Sequence, residues 1–238
     1  MTSLINTGKN ALTETLADES RAAEMAAFET MIDALDDLFV GADEHPDQEF
    51  HLDDEPLHWC AIEVGSNLRA ALFAAGAGFY STALLAAERA VHLSVASLGY
   101  TSQESGLQVD GEAPLTPKFA EWEGGAPLPT AVELALWLRA RQAARPPLPA
   151  GADTPEDRYR ALVRELRAER YHHHFQRGYQ APGFHAEGYR VTLDALRDVL
   201  GTIAGLWLLE LPHLRVRPLP TTLADCVRGT RLIGAGAE

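Results

Sequence analysis

"YRVTLDALRDVLGTIAGLW" (residues 189–207) carries the clearest periodicity in the chain. Tyr189, Leu193, Leu196, Leu200, Ile203 and Trp207 step by four, three, four, three and four residues. Steps of three and four put side chains on one face of an α-helix, so these six form an apolar stripe that must be covered by other elements. Pro212 closes the segment, because proline lacks the N–H that a continuing helix needs.

The same period recurs in both directions along the chain. Residues 10–40 read as one long helix, with Leu12, Leu16, Met25, Phe28, Ile32, Leu35 and Phe39 on one side. Glu24, Glu29, Asp33, Asp36 and Asp37 occupy much of the other side, and Gly41 ends it. A second helix is expected from Leu57 to Ala75, with Trp59, Ile62, Leu68 and Leu72 as its core stripe. "AGAGF" (75–79) breaks the chain before a third helix, whose stripe is Tyr80, Leu84, Val91, Val95 and Leu98 and whose C-cap is Gly99. Thr130 is a good N-cap for a short helix over 130–144. Asp153 or Thr154 caps the next one, with Pro155 in its first turn and Glu156 and Asp157 near the positive helix end. That helix should run to about Phe175. No segment alternates as a strand does.

The fold class is therefore all-α: a bundle of about six helices. Its expected divisions are an acidic N-terminal helix and connection (1–55), the main bundle (56–212) with an irregular insertion at 100–129, and a tail (213–238) holding one short helix. Trp59, Trp137 and Trp207 read as core, and Trp122 as an exposed contact. His58 and His92, alone among apolar neighbours, read as packing histidines.

The formal charge of −14 is unevenly placed. Residues 1–60 hold fifteen acids against Lys9 and Arg21, whereas residues 139–177 hold nine arginines and five acids, a local net of +4. The first segment is an acidic solvated face, or a surface for a basic protein partner. The second is a modest basic patch that would bind a polyanion with strong salt dependence. Cys60 and Cys226 lack the spacing of a zinc ribbon or disulfide framework. The chain opens with no leader and has no apolar run long enough for a membrane span, so a cytoplasmic protein is expected. Phosphate loops, GxSxG and CxxC motifs are absent from the sequence.

"ERYHHHFQRGYQAPGFH" (169–185) gathers four of the nine histidines beside the basic patch. On a helix Arg167, Arg170 and His174 share one face, Glu169 and His173 another, and His172 points elsewhere. Three consecutive histidines diverge by about 100° each and cannot all reach one ion. Glu169, His173 and His185 would converge on a metal only if the following loop folds back, so no metal ligand and no cofactor is assigned. The Arg–His face suits RNA better. A histidine near neutral pKa can take a proton from a ribose 2′-hydroxyl or give one to a leaving oxygen, while arginine holds the phosphate. The site residues expected on this reading are Arg167, Arg170, His172 and His174.

These residues resemble the motif of the HEPN (higher eukaryotes and prokaryotes nucleotide-binding) superfamily, an arginine, four to six residues, then a histidine. From Arg167 the gap is four residues to His172, five to His173 and six to His174. "GAGFYSTALLAAERAVHLSVASLGY" (76–100) is similar to the family's Ala-rich helix, whose mid-helix charged residue would be Glu88 or Arg89. The likeness spans about residues 60–210. Ala168 departs from it, because the family's ribonucleases usually carry a polar residue there. The resemblance implies a helical bundle, a homodimer, and RNA binding or metal-independent RNA cleavage in stress response or defence. Three other readings stand beside it. A non-enzymatic interaction or dimerisation protein would use the histidines only to finish a helix. A metal-binding bundle would need them as ligands. An all-α nucleotide pyrophosphohydrolase would hold Mg²⁺ through Glu29, Asp33, Asp36, Asp37 and Glu63.

Overall fold

The computed structural model describes residues 2–42, 56–106, 108–148, 151–173, 183–211, 214–215 and 218–232. Among these there are nine helices and no strand, so the chain is an all-α bundle. The helices are α1 (Thr2–Ala17), α2 (Glu19–Ala42), α3 (Pro56–Gly76), α4 (Tyr80–Glu104), α5 (Phe119–Glu123), α6 (Ala131–Ala143), α7 (Pro155–Tyr171), α8 (Ala186–Glu210) and α9 (Thr221–Gly229).

The hairpin of α3 and α4 is the centre of the bundle. It carries many small buried residues, Ala71, Ala74 and Ala75 on α3 and Ala83, Ala87 and Ala90 on α4. Small side chains let two backbones approach closely, and larger ones from α8 and α7 fill the space around them. The α8 stripe behaves as its spacing requires: Tyr189, Leu193, Leu196, Leu200, Ile203 and Trp207 are all buried in a core shared with α2, α3, α4, α6, α7 and α9. Trp207 also donates its indole N–H to the carbonyl of Ser94 on α4 at 3.3 Å.

Four local readings differ from the sequence expectation. The expected helix over 10–40 is two helices, because the Asp18 carboxylate accepts the Arg21 backbone N–H at 3.1 Å and so caps a new start at Glu19. Gly99 does not end α4, which continues to Glu104. A Cβ there would lie 2.4 Å from Leu115 Cδ1, so this glycine admits the following loop rather than stopping the helix. Trp122 is half-buried against Tyr100 and Phe119 instead of exposed. On α3, Trp59 and Ile62 are exposed, and the buried face runs through Cys60, Val64, Leu68 and Ala71. Size misled that reading: the packed face of α3 carries small residues beside Leu68 and Leu72, and Trp59 and Ile62 fall outside it.

The segment after α4 is held by Glu112, whose side chain is 0% exposed. Its carboxylate accepts from Ser102 Oγ at 3.0 Å, Trp137 Nε1 at 2.6 Å and the Val109 N–H at 3.2 Å. Arg141 lies 3.5 Å from it and also donates to Glu210 at 3.2 Å. One buried carboxylate thus ties the loop to α4 and α6, and Arg141 continues the network to the end of α8.

Candidate functional site

The α7 helix begins where the sequence indicates, with Thr154 as cap: its hydroxyl accepts the Asp157 N–H at 3.0 Å. From there Tyr159, Leu162, Val163 and Leu166 turn into the core, and Arg167 and Arg170 border that face. Both arginines reach across to α4. Arg167 Nε donates to Glu88 Oε1 at 2.6 Å, and Arg170 Nη1 donates to Glu88 Oε2 at 3.0 Å. The Glu88 side chain is 8% exposed, while that of Arg167 is 51% exposed and that of Arg170 33%. A buried carboxylate therefore anchors two cations whose outer parts meet solvent.

Glu88 is one of the two charged residues that the sequence offers for mid-α4. It occupies the stripe position between Leu84 and Val91, where a charge must be paired to be buried. Arg89, one residue on, is exposed. That placement on the apolar stripe is the signal by which Glu88 could be chosen from the sequence.

Two further polar groups border the same seam. His92, one turn beyond Glu88, has its ring 5.9 Å from that of Tyr159 on α7. Since Glu88 faces Arg167 while His92 faces Tyr159, α4 and α7 run antiparallel along this seam. His92 Nε2 and Tyr159 Oη are buried without a hydrogen-bond partner. Burial holds His92 below the ordinary histidine range, with Glu88 pulling the other way and Arg167 adding to the depression. Burial likewise pushes the Tyr159 hydroxyl above its usual range. His92 is thus a packing histidine that also adjoins the ion cluster.

His172 and His173 diverge as helical geometry demands. His172 caps α7, its N–H donating to the Ala168 carbonyl, and is half-buried. His173 is 1% exposed and packs its ring 5.4 Å from that of Tyr80 at the start of α4. His174 lies outside the described residues. The Tyr80 hydroxyl in turn accepts the His185 N–H at 2.8 Å and donates to the His185 carbonyl at 3.2 Å, so Tyr80 stands between the end of α7 and the start of α8. Arg167 and Arg170 are brought together, and His173 is turned away from them into the core.

Compared with family models, curated proteins and solved structures, the chain matches none.

Two acids of α2 are engaged locally. Asp33 and Asp36 both accept from Arg69 Nη2 on α3, at 2.7 and 2.8 Å. Among the described residues no three His, Cys, Asp or Glu side chains are grouped so as to hold a metal ion, and no helix is long and apolar enough to cross a membrane.

Proposed function

We propose that the protein is a HEPN-like RNA-binding protein that cleaves single-stranded RNA without a metal, with the α4–α7 seam as its phosphate site. What supports this reading is the pair of arginines on one carboxylate. Glu88 holds both guanidinium groups in fixed positions, and the exposed part of Arg167 is available to a phosphate oxygen. A preoriented fork of this kind loses little freedom on binding an oxyanion. His172, at the end of the same helix, or His174 then serves as acid–base: neutral, it takes the ribose 2′-hydroxyl proton, and protonated, it gives one to the departing oxygen.

A second reading has its own observation. Glu88 neutralises much of the charge of the two arginines, which is what a purely structural tie between α4 and α7 requires. On that reading the protein is a helical interaction protein.

One experiment separates them. Binding of a fluorescent oligouridine is measured across a salt series in EDTA, with cleavage followed on a gel. The proposal expects binding that weakens with salt, a log–log slope reduced by roughly 0.7 in Arg167→Ala, and cleavage abolished by His172→Ala or His174→Ala. Cleavage that persists in EDTA after all three histidines are changed to alanine would end the catalytic version. Absence of any salt-dependent binding leaves the interaction protein as the reading.

A further inference from the structure

The outer face of α7 extends the seam in both directions. Arg160, Arg164, Arg167 and Tyr171 follow one another at steps of four, three and four residues, and all four are exposed. At about 100° per residue they fall within roughly 60° of arc and form one stripe about 17 Å long. Between Arg160 and Tyr171 no acid enters that sector, since Glu165 and Glu169 lie at least about 100° round the helix from it. The two nearest carboxylates are oversubscribed. Glu156 is shared by Arg139 and Arg160, and Glu88 by Arg167 and Arg170, so one positive charge is left over at each end. Arg164, between them, makes no ion pair among the described residues. At the end of this basic stripe stands an aromatic ring, Tyr171, 55% exposed.

We propose that this stripe is a track for single-stranded RNA, with Tyr171 as the platform on which one base stacks. The inference rests on the α4–α7 seam being a phosphate site, and it adds the residue that holds the base. Surplus positive charge along a straight line suits a row of phosphates. The ring at its end is what selects a nucleic acid with free bases. A bare polyanion or an acidic peptide gains nothing from it, and a duplex keeps its base faces within its own stack. Trp59 and Phe73 are also about half-exposed, but both lie on α3 rather than on the arginine stripe.

The platform also fixes where on the strand the site acts. The Tyr171 ring stands 6.5 Å from that of His172, edge to face. A base stacked on Tyr171 therefore sets its ribose at the His172 end of α7, with the backbone running back over Arg167 and Arg164. Tyr171 is a specificity residue on this account, since it touches the base and leaves the proton transfers to histidine.

Fluorescence anisotropy on the full chain tests the proposal with two probes of equal length, an oligouridine and an abasic ribose–phosphate chain. The substituted side chains are exposed, so the variants fold, and circular dichroism checks that they do. Tyr171→Ala is expected to weaken oligouridine binding about tenfold, as the loss of one stacked base does, without changing its salt slope. The same variant is expected to bind the abasic chain as the wild type does, and Tyr171→Phe, which keeps the ring, to restore oligouridine binding. Arg164→Ala should lower the salt slope by roughly 0.7 with both probes. Oligouridine binding that responds to Arg167→Ala but not to Tyr171→Ala overturns the platform and leaves the phosphate seam standing. Equal loss of both probes in Tyr171→Ala shows a ring that only shapes the helix end, and overturns it as well. Wild-type protein that binds the abasic chain as tightly as oligouridine has a surface for any polyanion, an acidic protein included, and no base platform. Absence of salt-dependent binding with either probe removes the seam and the track together.

Discussion

Glu88 and Arg167 meet across the α4–α7 seam through a 2.6 Å hydrogen bond between a buried carboxylate and a half-exposed guanidinium. The bond sits between residues 79 positions apart in sequence, and it fixes where Arg167 points. Its neighbour from Arg170 uses the other carboxylate oxygen. The seam is therefore both a tie between helices and the candidate phosphate site.

Glu88→Gln should be destabilising, and more so than the change in a surface ion pair. The amide keeps the shape of the side chain but loses the charge that offsets two cations. Loss of roughly 1–3 kcal/mol is expected, since hydrogen bonds to charged groups contribute in that range. Urea unfolding of Glu88→Gln beside Glu63→Gln, an exposed control, measures it. Equal stability of the two variants would show that solvent screens the seam.

His92 supplies a pH dependence whose sign is fixed by its environment. Burial lowers its folded-state pKa below the unfolded value of 6.5. The neutral form is thus favoured by folding, and the stability it contributes is full above that value and is lost as pH falls below it. Thermal unfolding from pH 7.5 down to pH 5 should show a decline in Tm that is shallower in His92→Asn. An identical slope in the variant would assign the decline to other groups.

Glu156 acts in a lower pH window. Its carboxylate accepts from Arg139 Nε and Nη2, both at 2.6 Å, and from Arg160 Nε at 2.7 Å. Arg139 foremost holds its pKa below the ordinary glutamate value of 4.5, so this contribution is present above that value and is lost as pH falls through the lowered one. Glu156→Gln should flatten the acid side of the stability profile below pH 4.5 and leave the region of His92 unchanged.

Gly78 tests the hairpin turn. Its φ is +78°, and a Cβ there would lie 2.3 Å from the Gly183 carbonyl oxygen. Gly78→Ala combines an unfavourable backbone conformation with a clash against backbone, which cannot give way as a side chain would. A loss of about 2 kcal/mol or more is expected. By contrast Gly111→Ala, at φ +84° in open space, meets only the conformational penalty, and the difference between the two variants in urea isolates the close approach.

Glu112→Ala should release the loop that it anchors. Removing a fully buried carboxylate leaves Trp137 Nε1 and Arg141 without that acceptor, at about 3–5 kcal/mol for breaking a buried charged pair. Limited proteolysis should then cut within 105–130 before the rest of the chain. Unchanged protection there would show that Phe119 and Trp122 hold the loop without it.

The sequence by itself determined the helical class, because a 3.6-residue period and capping residues are local properties. The stripe of α8 from Tyr189 to Trp207, the caps Thr130 and Thr154, and the divergence of His172 from His173 all follow from backbone geometry alone. The family resemblance pointed to Glu88 or Arg89 on α4. Tertiary structure decided what local properties leave open. Trp59 and Ile62 have the right spacing for a core, yet the buried face of α3 runs through Cys60, Val64, Leu68 and Ala71 and leaves these two outside. Gly99 reads as a cap, but Leu115 arrives from the following loop to occupy the space that a side chain would need. His172 and His173 are adjacent in sequence, and Tyr80 from α4 packs against His173, the buried one of the two. Periodicity records which residues can share a face; which face is covered depends on the volume of residues that lie far away in sequence.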